Sequence, residues 1–205
     1  MPTLLLASPP QLKKWPKKGE IIIVDLEYTA WRNSNKFNWG RPWEWREIIQ
    51  IGAVLVSSNN FKILKTFNVY VKPEKNKDLS SYIKKLTGIS QNTIDSKGMG
   101  FLSAFKRLKK FIPKRNIILA NGSDGQILNE NLILHKASKK PFLPICVYNF
   151  KPLLSKKLSI PEMYLISSKL PKIAGIRKKL RAHSALDDCF SICSALRKWR
   201  ENHLI

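Results

Sequence analysis

Four acidic residues and one histidine occur at spacings that suit metal-assisted cleavage of a phosphodiester. Asp25 and Glu27 stand two apart in IIIVDLEYT, Asp124 follows NIILANGS, and His183 precedes Asp188 by five residues in RAHSALDD. Carboxylates are the ligands that hard cations such as Mg²⁺ and Mn²⁺ prefer. A histidine beside such ions can take a proton from water near neutral pH. The set predicts a site in which two ions activate water and stabilise a leaving oxygen.

The first two acids lie in an element with a clear prediction. The apolar run at residues 21–24 indicates a β-strand buried on both faces. Side chains two apart on a strand point to one face, so Asp25 and Glu27 converge on one region. Two acids in a buried strand are unfavourable without cations nearby. The alternative is that both lie in water at the strand end and bind nothing.

Asp124 is expected at the start of a helix. Ser123 and Gln126 have the N-cap to N3 spacing of a capping box, which places Asp124 in the first turn. Taken alone, this position favours an acid that only stabilises the helix dipole. Asp124 therefore becomes a candidate ligand only in combination with the other acids.

The C-terminal motif separates two adjacent aspartates. Residues five apart on a helix point about 140° from each other, so His183 and Asp188 cannot both be helical and share a face. Ser184 and Asp187 again have capping-box spacing. With Ser184 as N-cap, His183 lies on the preceding loop and Asp188 in the first turn. We therefore expect Asp187 to serve the cap and Asp188 to bind metal.

The charge of the chain favours a nucleic-acid partner. It has 37 Lys and Arg against 14 Asp and Glu, a formal net charge of +23 and a pI near 10.1. Such a field attracts polyanions to any site that it surrounds. The basic runs at 13–18, 106–115 and 169–181 are each, taken singly, typical of solvated faces. Their sum favours a nucleic acid over a small neutral metabolite.

Length and cysteine usage indicate one domain in a reducing compartment. We expect residues 1–19 to form a lead-in segment and residues 20–205 a single domain. No stretch has the length of a membrane span, and the first apolar run is too short for a signal-peptide core. Cys146, Cys189 and Cys193 lack Cys-x-x-Cys spacing. This pattern is typical of reduced thiols in a cytoplasmic protein, with no disulfide partner.

The hydrophobic pattern predicts an α/β domain with a mixed sheet. Expected strands occupy residues 20–29, 47–58, 61–73, 116–121 and 144–150, and the second and third form a hairpin. Expected helices occupy residues 79–86, 101–112, 124–136 and 184–201, with short helices in 151–181. Residues 31–45 are predicted to form a long loop.

The motifs resemble those of the DEDDh 3′-5′ exonucleases in the RNase H-like, DnaQ-like superfamily. The acids and His183 match in order, and the likeness extends over residues 21–199. Within this group the chain resembles the ERI-type exoribonucleases. The further matching segments are Glu47-Ile-Ile-Gln-Ile-Gly, Tyr70-Val-Lys-Pro, Leu79-Ser, Leu86-Thr-Gly-Ile-Ser and Asn121-Gly-Ser-Asp124.

The resemblance implies an RNase H-like mixed five-stranded sheet flanked by helices, and two divalent cations, Mg²⁺ or Mn²⁺. It implies release of nucleoside 5′-monophosphates from the 3′ end of single-stranded or overhanging RNA. The implied metal ligands are Asp25, Glu27, Asp124 and Asp188, and the implied general base is His183. Tyr28, Thr29 and Ala30 resemble the wall around the terminal nucleotide. Trp31 either stacks on a base or covers the core.

Two departures and two alternatives accompany the resemblance. Gly125 stands where related enzymes often carry a bulkier residue, which would widen the pocket or loosen the helix start. The loop of residues 32–46 matches no known motif. The alternative substrate is DNA, because no residue shows how a 2′-OH is read. The alternative class is an inactive RNA-binding module, which a carboxylate cluster disfavours because phosphates are bound by Lys and Arg.

Overall fold

The computed structural model describes residues 8–135, 145–177 and 181–205. The strands are β1 (Glu20–Tyr28), β2 (Ile48–Ser57), β3 (Ile63–Lys72), β4 (Met99–Gly100), β5 (Ile117–Ala120) and β6 (Val147–Asn149). The helices are α1 (Ser81–Thr87), α2 (Gln91–Lys97), α3 (Phe101–Phe111), α4 (Asp124–Leu134), α5 (Lys151–Leu158), α6 (Leu170–Ile173) and α7 (Ala185–Glu201). Two short 3-10 helices, Glu162–Tyr164 and Ser167–Lys169, lie between α5 and α6.

The strands form one mixed sheet in the order β4-β3-β2-β1-β5-β6. β1 lies at the centre, antiparallel to β2 and parallel to β5, and β2 and β3 form the expected hairpin. The sheet has six strands instead of the five expected, because β4 adds two residues parallel to the end of β3. Elements as short as β4 and α2 carry too few residues to show a periodic pattern.

Helices cover both faces of the sheet, so β1 is buried on both sides as predicted. Ile22 and Val24 pack in the apolar cluster that includes residues of α3 and α4. Ile21 and Ile23 pack on the opposite face with residues of α7. Because side chains alternate along a strand, Asp25 continues the series that faces α7. The alternation on β1 therefore places the acids on the same side of the sheet as the C-terminal helix.

The N-terminus of α7 lies directly against the backbone of β2. A Cβ atom on Gly52 would stand 2.3 Å from the carbonyl carbon of Ala185. The backbone NH of Ala185 donates to Oε1 of Gln50 at 3.1 Å, and Gln50 lies two residues before Gly52 on the same face of β2. Gly52 is paired with Asp25 across the β1–β2 ladder. This close approach brings the start of α7 next to the acids of β1.

The described part of the lead-in segment packs on the sheet edge and the second core. Gln11 forms a parallel bridge with Asn149 of β6. Leu12 and Trp15 are buried, and the Trp15 ring lies 5.4 Å from the Phe150 ring. Residues 1–7 of this segment lie outside the described residues. Residues 8–19 thus contribute side chains to the core next to β6.

The three cysteines differ in their exposure to solvent. Cys146 is exposed, Cys189 and Cys193 are buried in α7, and all three are free. Burial raises the pKa of the Cys193 thiol to about 12 and that of Cys189 well above its usual value. The two buried thiols are therefore unreactive near neutral pH.

In the ranges that the structure describes, no helix combines the length and the apolar character needed to cross a membrane.

Candidate active site

A cleft of about 910 Å³ opens at the carboxyl ends of β1 and β5. All five residues singled out by their spacing line this cleft: Asp25, Glu27, Asp124, His183 and Asp188. They come from four separate places in the chain, namely β1, the start of α4, the loop before α7 and its first turn. The fold thus assembles one site from residues that are up to 163 positions apart, from Asp25 to Asp188.

Asp25 and Glu27 project into the cleft from the C-terminal end of β1. Their exposed fractions are only 9% and 7%, so the two carboxylates are largely removed from water. The hydroxyl of Ser167 donates to Oδ1 of Asp25 at 3.3 Å. The amide nitrogen of Asn121 donates to the Ser167 hydroxyl and to the carbonyl of Leu165, which fixes this turn beside β1. Neither Ser167 nor Asn121 was expected at the site as an individual side chain.

Asp124 is the first residue of α4 and bonds to the neighbouring strand. Its Oδ1 accepts a hydrogen bond from the backbone NH of Leu26 at 3.1 Å. This NH is available because β5 pairs with β1 only as far as Leu119 opposite Ile23. The capping box predicted around Asp124 is wrong. Ser123 makes no side-chain cap bond, and the Gln126 amide donates instead to Glu130.

His183 lies on the loop before α7 and Asp188 in its first turn, as expected. The His183 backbone has a φ of 58°, in the left-handed region that is uncommon for residues other than glycine. This conformation directs its NH to Oδ2 of Asp188 at 3.1 Å. The predicted capping box is wrong here too, because Ser184 occupies the N-cap without a side-chain bond. The helix start is bonded by Gln50 of β2 instead, and Asp187 makes no cap contact among the described residues.

Burial raises the pKa of all four carboxylates, and neighbouring carboxylate charges add to the shift at Asp25, Glu27 and Asp188. Burial, reinforced by the charges of Asp188 and Asp124, raises the pKa of Glu27 to about 8. Burial raises the pKa of Asp188 to about 7 and that of Asp124 to about 6, although hydrogen bonds from backbone NH groups oppose both shifts. Burial and the other three acids raise the pKa of Asp25 well above its usual value. A cluster of this kind is stabilised by protons or by cations.

The donor set fits a divalent metal ion. Glu27, His183 and Asp188 each offer a ligand atom, and these atoms lie within 4.8 Å of one another. Oδ1 of Asp188 is buried and has no hydrogen-bond partner among the described residues. A buried carboxylate oxygen without a donor is unfavourable unless a cation satisfies it. Burial also lowers the pKa of His183, so its imidazole is neutral at neutral pH.

Three of the four residues expected around a terminal nucleotide line the cleft. Tyr28, Ala30 and Trp31 do so, whereas Thr29 is not on the cleft wall. Thr29 is 2% exposed, and its hydroxyl donates to the carbonyl of Trp45 and accepts from the NH of Glu47. The structure therefore places Thr29 as an anchor for the long loop that follows β1.

The loop of residues 31–46 is tied to both sides of the cleft. The indole NH of Trp39 donates to the carbonyl of Thr29 at 3.0 Å. The guanidinium of Arg46 lies 5.0 Å from the centre of the Trp39 ring and forms an ion pair with Glu130 of α4. Within the loop, the Ser34 hydroxyl donates to Glu44 at 2.7 Å. Sequence reasoning missed this order because each contact joins residues of different elements.

Lysine and glycine residues near Asp124 shape the opposite wall. Lys151, the first residue of α5, lines the cleft, and its Nζ lies 3.6 Å from the position of a Cβ on Gly122. The charge of Lys151 lowers the pKa of Asp124. Gly125 is not on the cleft wall. A Cβ there would stand 3.0 Å from Cβ of Val147, so this glycine permits close packing of α4 on β6 and does not widen the pocket.

A mixed sheet with buried acids at the end of its central strand is the arrangement of an RNase H-like nuclease. The model of the exonuclease (RNase T) family matches residues 22–196, so the chain belongs to this family. The predicted RNase H-like class and DEDDh resemblance are confirmed by a solved structure described as the nuclease domain of 3′hExo, a DEDDh family member, bound to rAMP. It aligns with a TM-score of 0.74 and 25% identity over 90% of this chain and 93% of that chain.

Curated relatives include enzymes named as exonucleases. The chain is 35% identical over 130 residues to the 3′-5′ exonuclease Snipper of Drosophila melanogaster. The aligned region covers 62% of this chain and 40% of the relative. It is 28% identical over 188 residues to 3′-5′ exoribonuclease 1 of Rattus norvegicus. Here the aligned region covers 84% of this chain and 50% of the relative. The chain thus spans half or less of the length of these two relatives.

Proposed function

We propose that this chain is a metal-dependent 3′-5′ exoribonuclease that releases nucleoside 5′-monophosphates from single-stranded or overhanging RNA 3′ ends. The observation that carries the proposal is the convergence of four buried carboxylates in one cleft, where burial raises their pKa values. A phosphate-binding module has no use for such a cluster, because phosphates are bound by cationic side chains. The name of the rat relative, 3′-5′ exoribonuclease 1, supports the RNA substrate.

The proposed metal ligands are Asp25, Glu27, Asp124 and Asp188, and the proposed cofactors are two ions of Mg²⁺ or Mn²⁺. Carboxylate oxygens suit these hard cations better than they suit softer metals. When bound, such ions supply an activated water and offset charge on the leaving oxygen. Backbone NH groups orient Asp124 and Asp188, so these carboxylates would hold the ions in a fixed place.

His183 is the proposed general base. Its lowered pKa keeps the imidazole neutral at neutral pH, so a ring nitrogen can accept a proton from the attacking water. The imidazole is half-buried and shares the cleft with Glu27 and Asp188. Although its imidazole lies within reach of the same metal position, Mg²⁺ and Mn²⁺ prefer oxygen ligands, so we assign His183 the role of base.

Tyr28, Ala30 and Trp31 are the proposed wall for the terminal nucleotide. Trp31 lines the cleft while only partly buried, so one ring face can stack on a base in a sequence-tolerant manner. We also propose that residues 20–205 form one exonuclease domain, with residues 1–19 as a lead-in segment. A cytoplasmic location, based on the three reduced thiols, stays a prediction.

A cleavage assay on end-labelled substrates tests the function. RNA and DNA of one sequence, labelled at the 5′ end, are incubated with Mg²⁺ or Mn²⁺, with and without EDTA. We expect a ladder of 3′-shortened RNA that EDTA abolishes. A ladder on DNA alone would replace the RNA substrate by DNA, and no metal-dependent product on either would overturn the enzyme assignment.

Two variants link that activity to the cluster. Asp25→Asn removes one charge at the centre of the site and is expected to abolish the ladder. Glu201→Gln, on the exposed last residue of α7, removes the same charge far from the cleft and is the matched control. Equal activity of the two variants would show that the cluster is not the catalytic site.

A further inference from the structure

We propose that Arg181 is a positioning residue that holds the loop bearing His183 against the C-terminal end of α1. The inference rests on the proposed function, because it assigns the placement of the general base. Nη2 of Arg181 donates to the carbonyl of Thr87, the last residue of α1, at 3.1 Å. Among described residues, this is the side-chain hydrogen bond that ties positions 181–184 to an element other than α7.

The end of α1 is built to receive a guanidinium group. Gly88 follows the helix with a φ of 67°, and a Cβ at this position would stand 1.5 Å from Nη2 of Arg181. The arginine therefore occupies the space that the absent side chain leaves free. The last carbonyls of a helix carry partial negative charge, which favours a cation here.

α1 contacts the chain just after β1 at one end and the loop that bears His183 at the other. At its start, Ser80 is the N-cap, accepting from the NH of Ile83 at 3.0 Å, and its hydroxyl donates to the carbonyl of Ala30 just after β1. At its end, Thr87 accepts from Arg181. Between these ends, α1 presents Tyr82, Ile83 and Leu86 to the cleft.

The consequence is a brace across the cleft. His183 has a left-handed backbone that other contacts must maintain, because such a conformation is unfavourable for a non-glycine residue. The bond from its own NH to Asp188 orients it toward α7, and Arg181 fixes the other side of the loop. Displacing the wall formed by α1 would therefore displace the general base as well.

Steady-state kinetics of Arg181→Met test this positioning role. We expect kcat to fall by about 10- to 100-fold, since small misplacements of a reacting group have effects of this size. KM should change by less than about twofold, because substrate contacts remain. Arg177→Met removes the same charge from an exposed residue nearby and should leave both constants unchanged. Added guanidinium ion should restore part of the kcat of Arg181→Ala.

A pair of glycine variants tests the same contact from the other side. Gly88→Ala places a Cβ on Arg181, whereas Gly175→Ala has the same left-handed strain, with a φ of 74°, and meets no atom within 4 Å. We expect Gly88→Ala to lower kcat as Arg181→Met does, and Gly175→Ala to leave it unchanged. In the Arg181→Met background, Gly88→Ala should cause little further loss.

The imidazole resonances give a readout that does not depend on turnover. The chain has three histidines, so the His183 signal can be assigned by comparison with a His183→Asn variant. In metal-free protein, we expect Arg181→Met to shift and broaden this signal and to leave the other two in place. An unchanged His183 signal with an unchanged kcat in active protein would overturn the inference. Inactivity of the unmodified protein would instead overturn the proposed function.

Discussion

Oε1 of Gln50 accepts a hydrogen bond from the backbone NH of Ala185 at 3.1 Å. Gln50 lies on β2 opposite Glu27, and Ala185 is the first residue of α7. A side chain from the sheet therefore bonds the first NH of the helix that carries Asp188. The amide nitrogen of Gln50 donates to Asn68 at 2.9 Å, which sets its orientation. β2 thus fixes the distance between the acids of β1, Asp25 and Glu27, and Asp188 of α7.

Gly52→Ala is expected to move Asp188 away from Asp25 and Glu27. Its Cβ would stand 2.3 Å from the Ala185 backbone, which has no room to move because Ala185 is fully buried. We expect a loss of about 1–3 kcal/mol in the free energy of unfolding, as for other overpacked cores. Cleavage activity should fall at least tenfold in the protein that still folds, since Asp188 moves with the helix. Denaturant unfolding and the ladder assay measure the two effects.

The control for this variant is Gly100→Ala. No atom lies within 4 Å of a Cβ at Gly100, so the change adds a methyl group without a collision. Its cost should stay below about 1 kcal/mol, with full activity. If Gly52→Ala proved as stable and active as this control, the close contact between β2 and α7 would not matter for the site.

Metal-free protein should lose stability as pH rises. The folded-state pKa values of Glu27, at about 8, and Asp188, at about 7, exceed those of the unfolded chain. The folded state therefore binds more protons between pH 6.5 and 8, and the free energy of unfolding falls as pH rises through this window. We expect a decrease of about 1–2 kcal/mol in EDTA, measured by urea unfolding at several pH values. Added Mg²⁺ should reduce the slope.

Glu27→Gln is the variant that tests the source of this slope. It removes the titrating group, so the metal-free protein should be more stable than the unmodified protein at pH 8, and less dependent on pH. Activity should be lost at the same time. A variant that lost stability at pH 8 would show that the carboxylate of Glu27 is already satisfied without a metal.

Asp187 and Asp188 should behave differently although they are adjacent. Asp188→Asn is expected to abolish cleavage, because Asp188 is 4% exposed and faces the cleft. Asp187→Asn removes a first-turn acid without a cap bond and should cost at most about 1 kcal/mol. The charge of Asp187 raises the pKa of Asp188, so the variant should bind metal at slightly lower pH. Isothermal titration with Mn²⁺ at pH 6 and 8 measures this shift.

Lys151→Met should weaken substrate binding at the acid cluster. Lys151 lies on the wall next to Asp124, and we expect its ammonium group to bind a phosphate of the proposed substrate. Loss of a charge-assisted hydrogen bond corresponds to about 1.5–3 kcal/mol, so kcat/KM should fall by about 10- to 100-fold. Lys157→Met, on an exposed residue of the same helix, should have little effect. Equal kinetics of the two variants would place Lys151 outside the substrate path.

The features predictable from the sequence are those set by local periodicity. The strand bearing Asp25 and Glu27 has a continuous apolar run, and two-residue alternation fixes a common face for its acids. The position of Asp124 at a helix start and of His183 before a helix follows from similar local signals. The sequence predicts a long loop over residues 31–45, but it does not predict the contacts of that loop.

The features that could not be predicted depend on residues far apart in the chain. Both capping boxes have the right local spacing, yet neither forms. Gln50 bonds the first NH of α7, and the Gln126 side chain of α4 bonds Glu130. Gln50 reaches α7 from 135 positions away, and Asp124 bonds Leu26 across 98 positions. Lys151 and Ser167 carry no motif, and they enter the cleft only because β6 and the following turns lie beside β5. Local spacing shows which bonds are possible, and tertiary packing determines which of them form.

The volume of the cleft divides recognition between two regions of the molecule. About 910 Å³ is at the upper end of the range for a pocket that encloses one drug-sized ligand, about 300–1,000 Å³. For the RNA substrate proposed above, a site of this size would enclose the 3′ end of the strand, and the rest would lie on the outer surface. There the excess of lysine and arginine over acidic residues favours a polyanion. Discrimination between bases and sugars is then confined to the 3′ terminus. Binding of the remainder of the proposed substrate would not depend on its sequence and would weaken with added salt.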